Sequence, residues 1–127
     1  MRMHNVSALT IDNFFGDGTM QFITHNEDDL IRSSGTCRRG HITTSYANLV
    51  DVFGEPRKDG FDDYKSDAEW IVQFEDGLVA TIYNWKDGIN YCGTEHGTPT
   101  MNIREWNIGG YDTAVVAYIK DALREVA

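Results

Sequence analysis

Cysteine is scarce in this chain. Cys37 and Cys92 are the only two and neither belongs to a CxxC pair, so neither a metal or redox motif nor a disulfide framework is expected from them. The four histidines, His4, His25, His41 and His96, fall at no metal-ligand spacing, so no metal and no cofactor is expected. Long apolar runs are missing, which excludes a membrane-spanning helix. The opening MRMHNVSALTIDNFF lacks the apolar core and small-residue cleavage site of a secretory signal. A cytoplasmic protein with no membrane partner is the expectation. Base is in short supply, with 11 Lys and Arg against 20 Asp and Glu. The resulting net charge of −9 argues against nonspecific nucleic-acid binding, which rests on cations neutralising phosphates. Catalytic signatures are absent as well: GxSxG, a Walker loop, HExxH and GxGxxG do not occur. Glu69 pairs on paper with His41 or His96, as many residues do in any protein. No catalytic residue is assigned, and binding is favoured over an enzyme.

What is present begins with enough chain, 127 residues with a 41% hydrophobic fraction, to bury one core in a single domain. The most legible stretch is residues 70–86, WIVQFEDGLVATIYNWK. Asp76-Gly77 between two β-rich runs predicts a hairpin with a two-residue type I′ turn, glycine accepting the positive φ that such a turn requires. That turn sets Glu75 opposite Leu78. Trp70, Val72 and Phe74 then share a face with Val79, Thr81, Tyr83 and Trp85, the expected core side. Glu69, Ile71, Gln73, Ala80, Ile82, Asn84 and Lys86 share the other, which is free to hold a ligand.

Alternation predicts further strands over residues 19–25 and 101–108. Residues 1–18 read as a strand and a Gly16-Asp17-Gly18 turn completing a hairpin with 19–25, and residues 26–40 as a loop with a helical turn at 28–32. Tyr46, Leu49, Val50 and Phe53 recur at helical spacing, with Thr43 or Thr44 as N-cap and Gly54 and Pro56 as the stop. Val115, Ile119, Ala122, Leu123 and Val126 mark a second amphipathic helix over residues 112–126. Residues 57–67 are expected as a mobile surface loop and the glycine-rich 87–99 as an irregular connection. The sum is an α+β fold, a mostly antiparallel β-sheet packed with two principal α-helices.

Tyr83-Asn84-Trp85-Lys86 closes the hairpin with stacking surface, an amide and a cation, the combination that holds a nucleotide. Trp106 and Tyr91 add aromatic surface, and Arg104 adds a guanidinium able to grip a phosphate bidentately. Gly109-Gly110, at a predicted strand-to-helix junction, would present bare amides to an anion. Each has a plainer role beside this one: core packing for Trp85 and Trp106, a solvated strand end for Asn84, Lys86 and Arg104, a tight turn for the glycines. The candidate ligand-binding set is therefore Tyr83, Asn84, Trp85, Lys86, Arg104, Trp106, Gly109 and Gly110, grouped at the ends of neighbouring strands.

The series Gly40-His41-Ile42-Thr43-Thr44-Ser45-Tyr46, Leu49, Phe53-Gly54-Glu55-Pro56, Glu69-Trp70, Phe74, Asp76-Gly77, ATIYNWK at residues 80–86 and Trp106-Asn107-Ile108-Gly109-Gly110 resembles a family of small bacteriophage and prophage proteins. The resemblance spans residues 40–127. Among such proteins the chain is similar to the first Thoeris anti-defence family, sponges that bind cyclic ADP-ribose signals, and in some cases cyclic oligonucleotides, without cleaving them. The resemblance implies an antiparallel sheet with helices and a homo-oligomer with pockets near subunit boundaries. The implied partner is a small cyclic nucleotide signal in the cytoplasm of an infected bacterium. The acid concentrated at residues 59–76 keeps a second reading open, an inhibitor that binds a host defence protein directly. Hydrolysis of the signal is a third.

Overall fold

The computed structural model describes residues 20–31 and 33–124. Its strands are β1 Phe22–Thr24, β2 Cys37–Thr43, β3 Glu69–Phe74, β4 Val79–Tyr83 and β5 Glu105–Gly110. They form one sheet in the order β1-β3-β4-β5-β2, every pairing antiparallel. Helices α1 Tyr46–Phe53 and α3 Ala114–Ala122 carry the packing, with a short α2 at Ile89–Cys92 and a 3-10 turn at Thr100–Asn102. The chain is thus α+β, as its periodicities predict. Leu49, Val52 and Phe53 of α1 join Val115 and Ile119 of α3 over Trp70, Val72, Phe74, Ala80, Ile82, Trp106 and Ile108 in one core. Both helices therefore cover the same face of the sheet. Aromatic contacts fasten the helices to the sheet, Phe22 to Phe53 at 5.2 Å and Phe74 to Tyr118 at 5.0 Å, and within the sheet Trp70 stands edge-on to Trp106 at 5.4 Å.

The central hairpin departs from its sequence reading by one residue. Phe74 N–H donates to Leu78 O and Gly77 N–H to Phe74 O, so the loop is Glu75-Asp76-Gly77, with Gly77 at φ 91°. Glu75 does not close on Leu78 because Gln21 claims it: Glu75 N–H donates to Gln21 O, and Glu75 Oε1 accepts from Gln21 N–H. The pairing becomes Trp70 with Ile82 and Val72 with Ala80. A one-residue slip exchanges the faces of β4. Ala80 and Ile82, expected on the ligand side, are core, whereas Thr81 and Tyr83 turn to the opposite face with Glu69 and Ile71. Nothing lies within 4 Å of where a Gly77 Cβ would be, so Gly77→Ala isolates the backbone cost of positive φ. The expected loss is about 1 kcal/mol, read as a fall of about 3–6 °C in Tm by thermal melting.

Other boundaries move for similar reasons. β1 is shorter than the 19–25 reading and pairs with β3; the first arm of the expected hairpin lies outside the described residues. Residues 37–40, read as loop, begin β2, because Gly109 and Gly110 of β5 supply a ladder that the polar local sequence does not advertise. Residues 29–31 bend without a helical turn. Ser45 caps α1, its Oγ accepting from Asn48 N–H at 3.0 Å, while Thr44 O accepts the Trp106 indole N–H. Gly54, at φ 84°, ends α1 as predicted. β5 starts at Glu105, leaves Met101 and Asn102 to the 3-10 turn, and runs through the glycines expected to interrupt it. Val126 lies outside the described residues. Among those described, no helix is long and apolar enough to cross a membrane.

Candidate functional site

Of the residues expected to line a ligand, Asn84, Trp106, Gly109 and Gly110 are taken up by the fold. Asn84 is fully buried. Its Oδ1 accepts from Asp67 N–H at 2.7 Å and Ala68 N–H at 3.1 Å, and its Nδ2 donates to Asp67 Oδ1 at 2.8 Å and Asp87 Oδ1 at 2.9 Å. Those bonds exhaust the amide, so Asn84 fastens two loops to the end of β4 and has nothing left to read a ligand edge. Trp106 is fully buried against Trp70. Gly109 pairs with Thr81 and Arg38, and Gly110 with Ala80 and Cys37, so both are ladder residues and not amides at a helix start. The start of α3 is served by Asp112, whose Oδ1 accepts from Ala114 N–H. A Cβ on Gly109 would fall 2.6 Å from Thr81 Oγ1 and 3.4 Å from the Tyr83 ring, and one on Gly110 would fall 2.9 Å from Val115 Cγ2. Glycine there lets Tyr83 lean over β5 and α3 close on the sheet. Arg104 is exposed at the other end of β5, about 20 Å along the strand from Gly110. The diglycine and the cations do not form one pocket.

Tyr83, Trp85 and Lys86 do meet. The Trp85 indole is 43% exposed, with the Tyr83 ring edge-on at 6.0 Å. Lys65 Nζ stands 5.4 Å and Lys86 Nζ 5.8 Å from the indole centroid. Lys86 Nζ is also 5.4 Å from the ring of Tyr91, which in turn contacts Tyr64 at 5.1 Å. Lys65 and Tyr64 carry no sequence signal, being two residues of a charged loop. The bonds of Asn84 to Asp67 and Ala68, together with Lys86 N–H donating to Lys65 O at 2.7 Å, bring them in. Lys86 holds φ 60°, a left-handed conformation that costs a residue other than glycine about 1–2 kcal/mol. Such strain, at an exposed cation beside an exposed indole, is of the kind stored at functional sites.

The sheet face away from α1 and α3 continues from Tyr83. Register sets Glu69, Tyr83, Asn107 and His41 in one row, and Arg38 beside Gly109 in the next. Arg38 Nε–H donates to Asn107 Oδ1 at 3.1 Å, and Glu105 is held by His41 and by the Thr43 hydroxyl. Burial pushes the Tyr83 phenol above its ordinary range; Arg38 opposes the rise and Glu69 adds to it. Glu69 Oε1 lies 3.6 Å from Arg57 Nε, beyond hydrogen-bond range, and has no hydrogen-bond partner among the described residues. Burial pushes this carboxyl up to about 7, with Arg57 pulling it partway back. The unfolded chain releases the same proton near 4.5, so the folded state holds more protons between 4.5 and about 7, and stability falls as pH rises through that window. Glu69→Gln removes the titration. Denaturant unfolding is expected to show the variant gaining on the parent between about pH 5 and about pH 8.

A cavity of about 210 Å³ lies elsewhere, between the end of β1 and the C-terminal end of α1, lined by Thr24, Asn26, Glu27, Asp28, Gly54 and Glu55. Its carboxylates would repel a phosphate. Among the described residues, no group of three or more His, Cys, Asp or Glu is placed to hold a metal ion. Compared with known proteins, the chain matches no family model, no curated protein and no solved structure.

Proposed function

We propose that this protein binds a small cyclic nucleotide-derived signal, a cyclic ADP-ribose isomer or a cyclic oligonucleotide, and holds it without cleaving it. In this reading it is a phage-encoded anti-defence sponge acting in the cytoplasm of the bacterial host. The supporting observation is Trp85, an indole left 43% exposed at the sheet's end with Lys65 and Lys86 5.4 and 5.8 Å from its centre. An exposed ring offers a base a stacking face worth about 1–3 kcal/mol, and the ammonium groups supply charge for a phosphate. The net charge of −9 does not oppose this, since salt screens charges beyond about 8–10 Å and the local field decides. A homo-oligomer belongs to the same proposal. Among the described residues the outer edge of β2, seven residues long, has no strand partner, and a second copy can extend it.

Calorimetry with cyclic ADP-ribose isomers and cyclic trinucleotides tests the reading. Saturable heat is expected with at least one of them, and the ligand should be recovered intact when the protein is heat-denatured. Absence of heat for all of them at high micromolar concentration rejects it, and recovery of an opened product makes the protein a hydrolase. The inhibitor reading has less behind it, because several of its acids are committed within the fold: Asp67 to Asn84 and Asn90, Glu69 to Arg57, Glu75 to Gln21, and Asp76 to the Tyr118 hydroxyl.

A further inference from the structure

Of the described arginines, Arg38 and Arg104 neither donate to a backbone carbonyl nor pair with a carboxylate, and Arg38 differs from Arg104 in being held by a side-chain hydrogen bond. Arg39 donates to Gly110 O and Tyr111 O, Arg57 faces Glu69, and Arg124 pairs with Asp121. Arg38 is tied by Nε alone, to the neutral amide of Asn107, and forms no ion pair among the described residues. Its direction is thereby set without its charge being neutralised, and the terminal amino groups keep the fork that grips a phosphate bidentately. Asn107 Nδ2 and the Tyr83 hydroxyl, in the adjoining row, make no hydrogen bond among the described residues, and both can donate. Gly109, beside Arg38 in the next row, carries no side chain, and the Tyr83 ring edge lies 3.4 Å from where its Cβ would be. The nearest acids are engaged from elsewhere: Glu69 is faced by Arg57, and Glu105 is held by His41 and Thr43.

We propose that Arg38, Asn107 and Tyr83 form an anion subsite for the phosphate or pyrophosphate of the ligand whose base stacks on Trp85. The Tyr83 ring is 6.0 Å from the indole. β5, which carries Asn107, is one strand spacing farther, and Arg38 reaches it from β2 beyond, so the Arg38–Asn107 end of the subsite lies roughly 10 Å from the indole, a span a nucleotide covers from base to phosphates. The ligand's other half rests on the nucleotide reading above; the capture of an anion at Arg38 does not.

The test is titration of the whole protein with inorganic pyrophosphate, with affinity read by calorimetry and the responding groups by the arginine Nε–Hε and lysine side-chain NMR resonances. The Arg38 signal is expected to shift and saturate in the parent and in Trp85→Ala alike. Affinity is expected to drop at least about tenfold in Arg38→Gln. Asn107→Ala, which frees Nε, should weaken it severalfold without changing the melting temperature. If Arg38→Gln binds pyrophosphate as the parent does, or if only the Lys65 and Lys86 signals respond, the subsite is overturned. If Arg38 responds to pyrophosphate while no nucleotide gives heat, the subsite stands and the nucleotide reading falls.

Discussion

Asn84→Ala is expected to lose about 3–5 kcal/mol of folding stability, a fall of about 10–20 °C in Tm, with no ligand present. The side chain satisfies the N–H groups of Asp67 and Ala68 and donates to the carboxylates of Asp67 and Asp87. Asn84 and Ala68 are shut away from solvent, so water cannot replace these bonds cheaply. Thermal or denaturant unfolding checks the result. A ligand-reading asparagine at a solvated strand end would instead leave the melting temperature unchanged and lower affinity alone. Asn84→Asp sharpens the comparison. It keeps the shape but sets a third carboxylate against Asp67 and Asp87, and like charges disfavour ionisation. That variant should be poorly stable at neutral pH and regain stability as the pH falls.

Trp85→Ala is expected to do the reverse, weakening ligand binding by about 10–100-fold while changing stability by less than about 1 kcal/mol. The indole is half out of the core and its neighbours Lys65, Lys86 and Tyr83 are held by other bonds and contacts, so truncation removes a stacking face and little packing. Calorimetry beside a thermal melt separates the two effects. Lys86→Gly complements it. Glycine adopts φ 60° without the steric cost, so stability should hold or rise by about 0.5–1 kcal/mol as affinity falls with the lost ammonium. Unchanged affinity in both variants would remove the site. Asn84 and Trp85 are adjacent in sequence, yet one should govern stability and the other binding, because successive residues leaving β4 point to opposite sides.

The candidate site was readable in part. Tyr83, Trp85 and Lys86 announce themselves by composition at the end of a hairpin. Asn84 reads as one of them because sequence alternation does not say which side another loop will cover. Arg104 and the diglycine read as neighbours under the assumption that the strand ended before Gly109. Once β5 runs to Gly110, its extended backbone carries them apart. Lys65, Arg38 and Asn107 were not read as site residues, because each enters through a long-range hydrogen bond or a cross-strand position.

By itself the sequence determined what depends on near neighbours along the chain. The helical spacing of Tyr46, Leu49, Val50 and Phe53, the stop at Gly54, the existence of a hairpin around Gly77 and the α+β class all follow from backbone preference and local periodicity. Only the tertiary structure decided which faces of β4 meet the core, where β2 begins and which cations stand beside Trp85. Those choices turn on competition between distant partners, as when Gln21 draws Glu75 away from Leu78 and shifts the register by one residue. A hydrogen bond between segments far apart in sequence leaves no periodic trace in either, so its effect on the site is felt only when the strands are assembled.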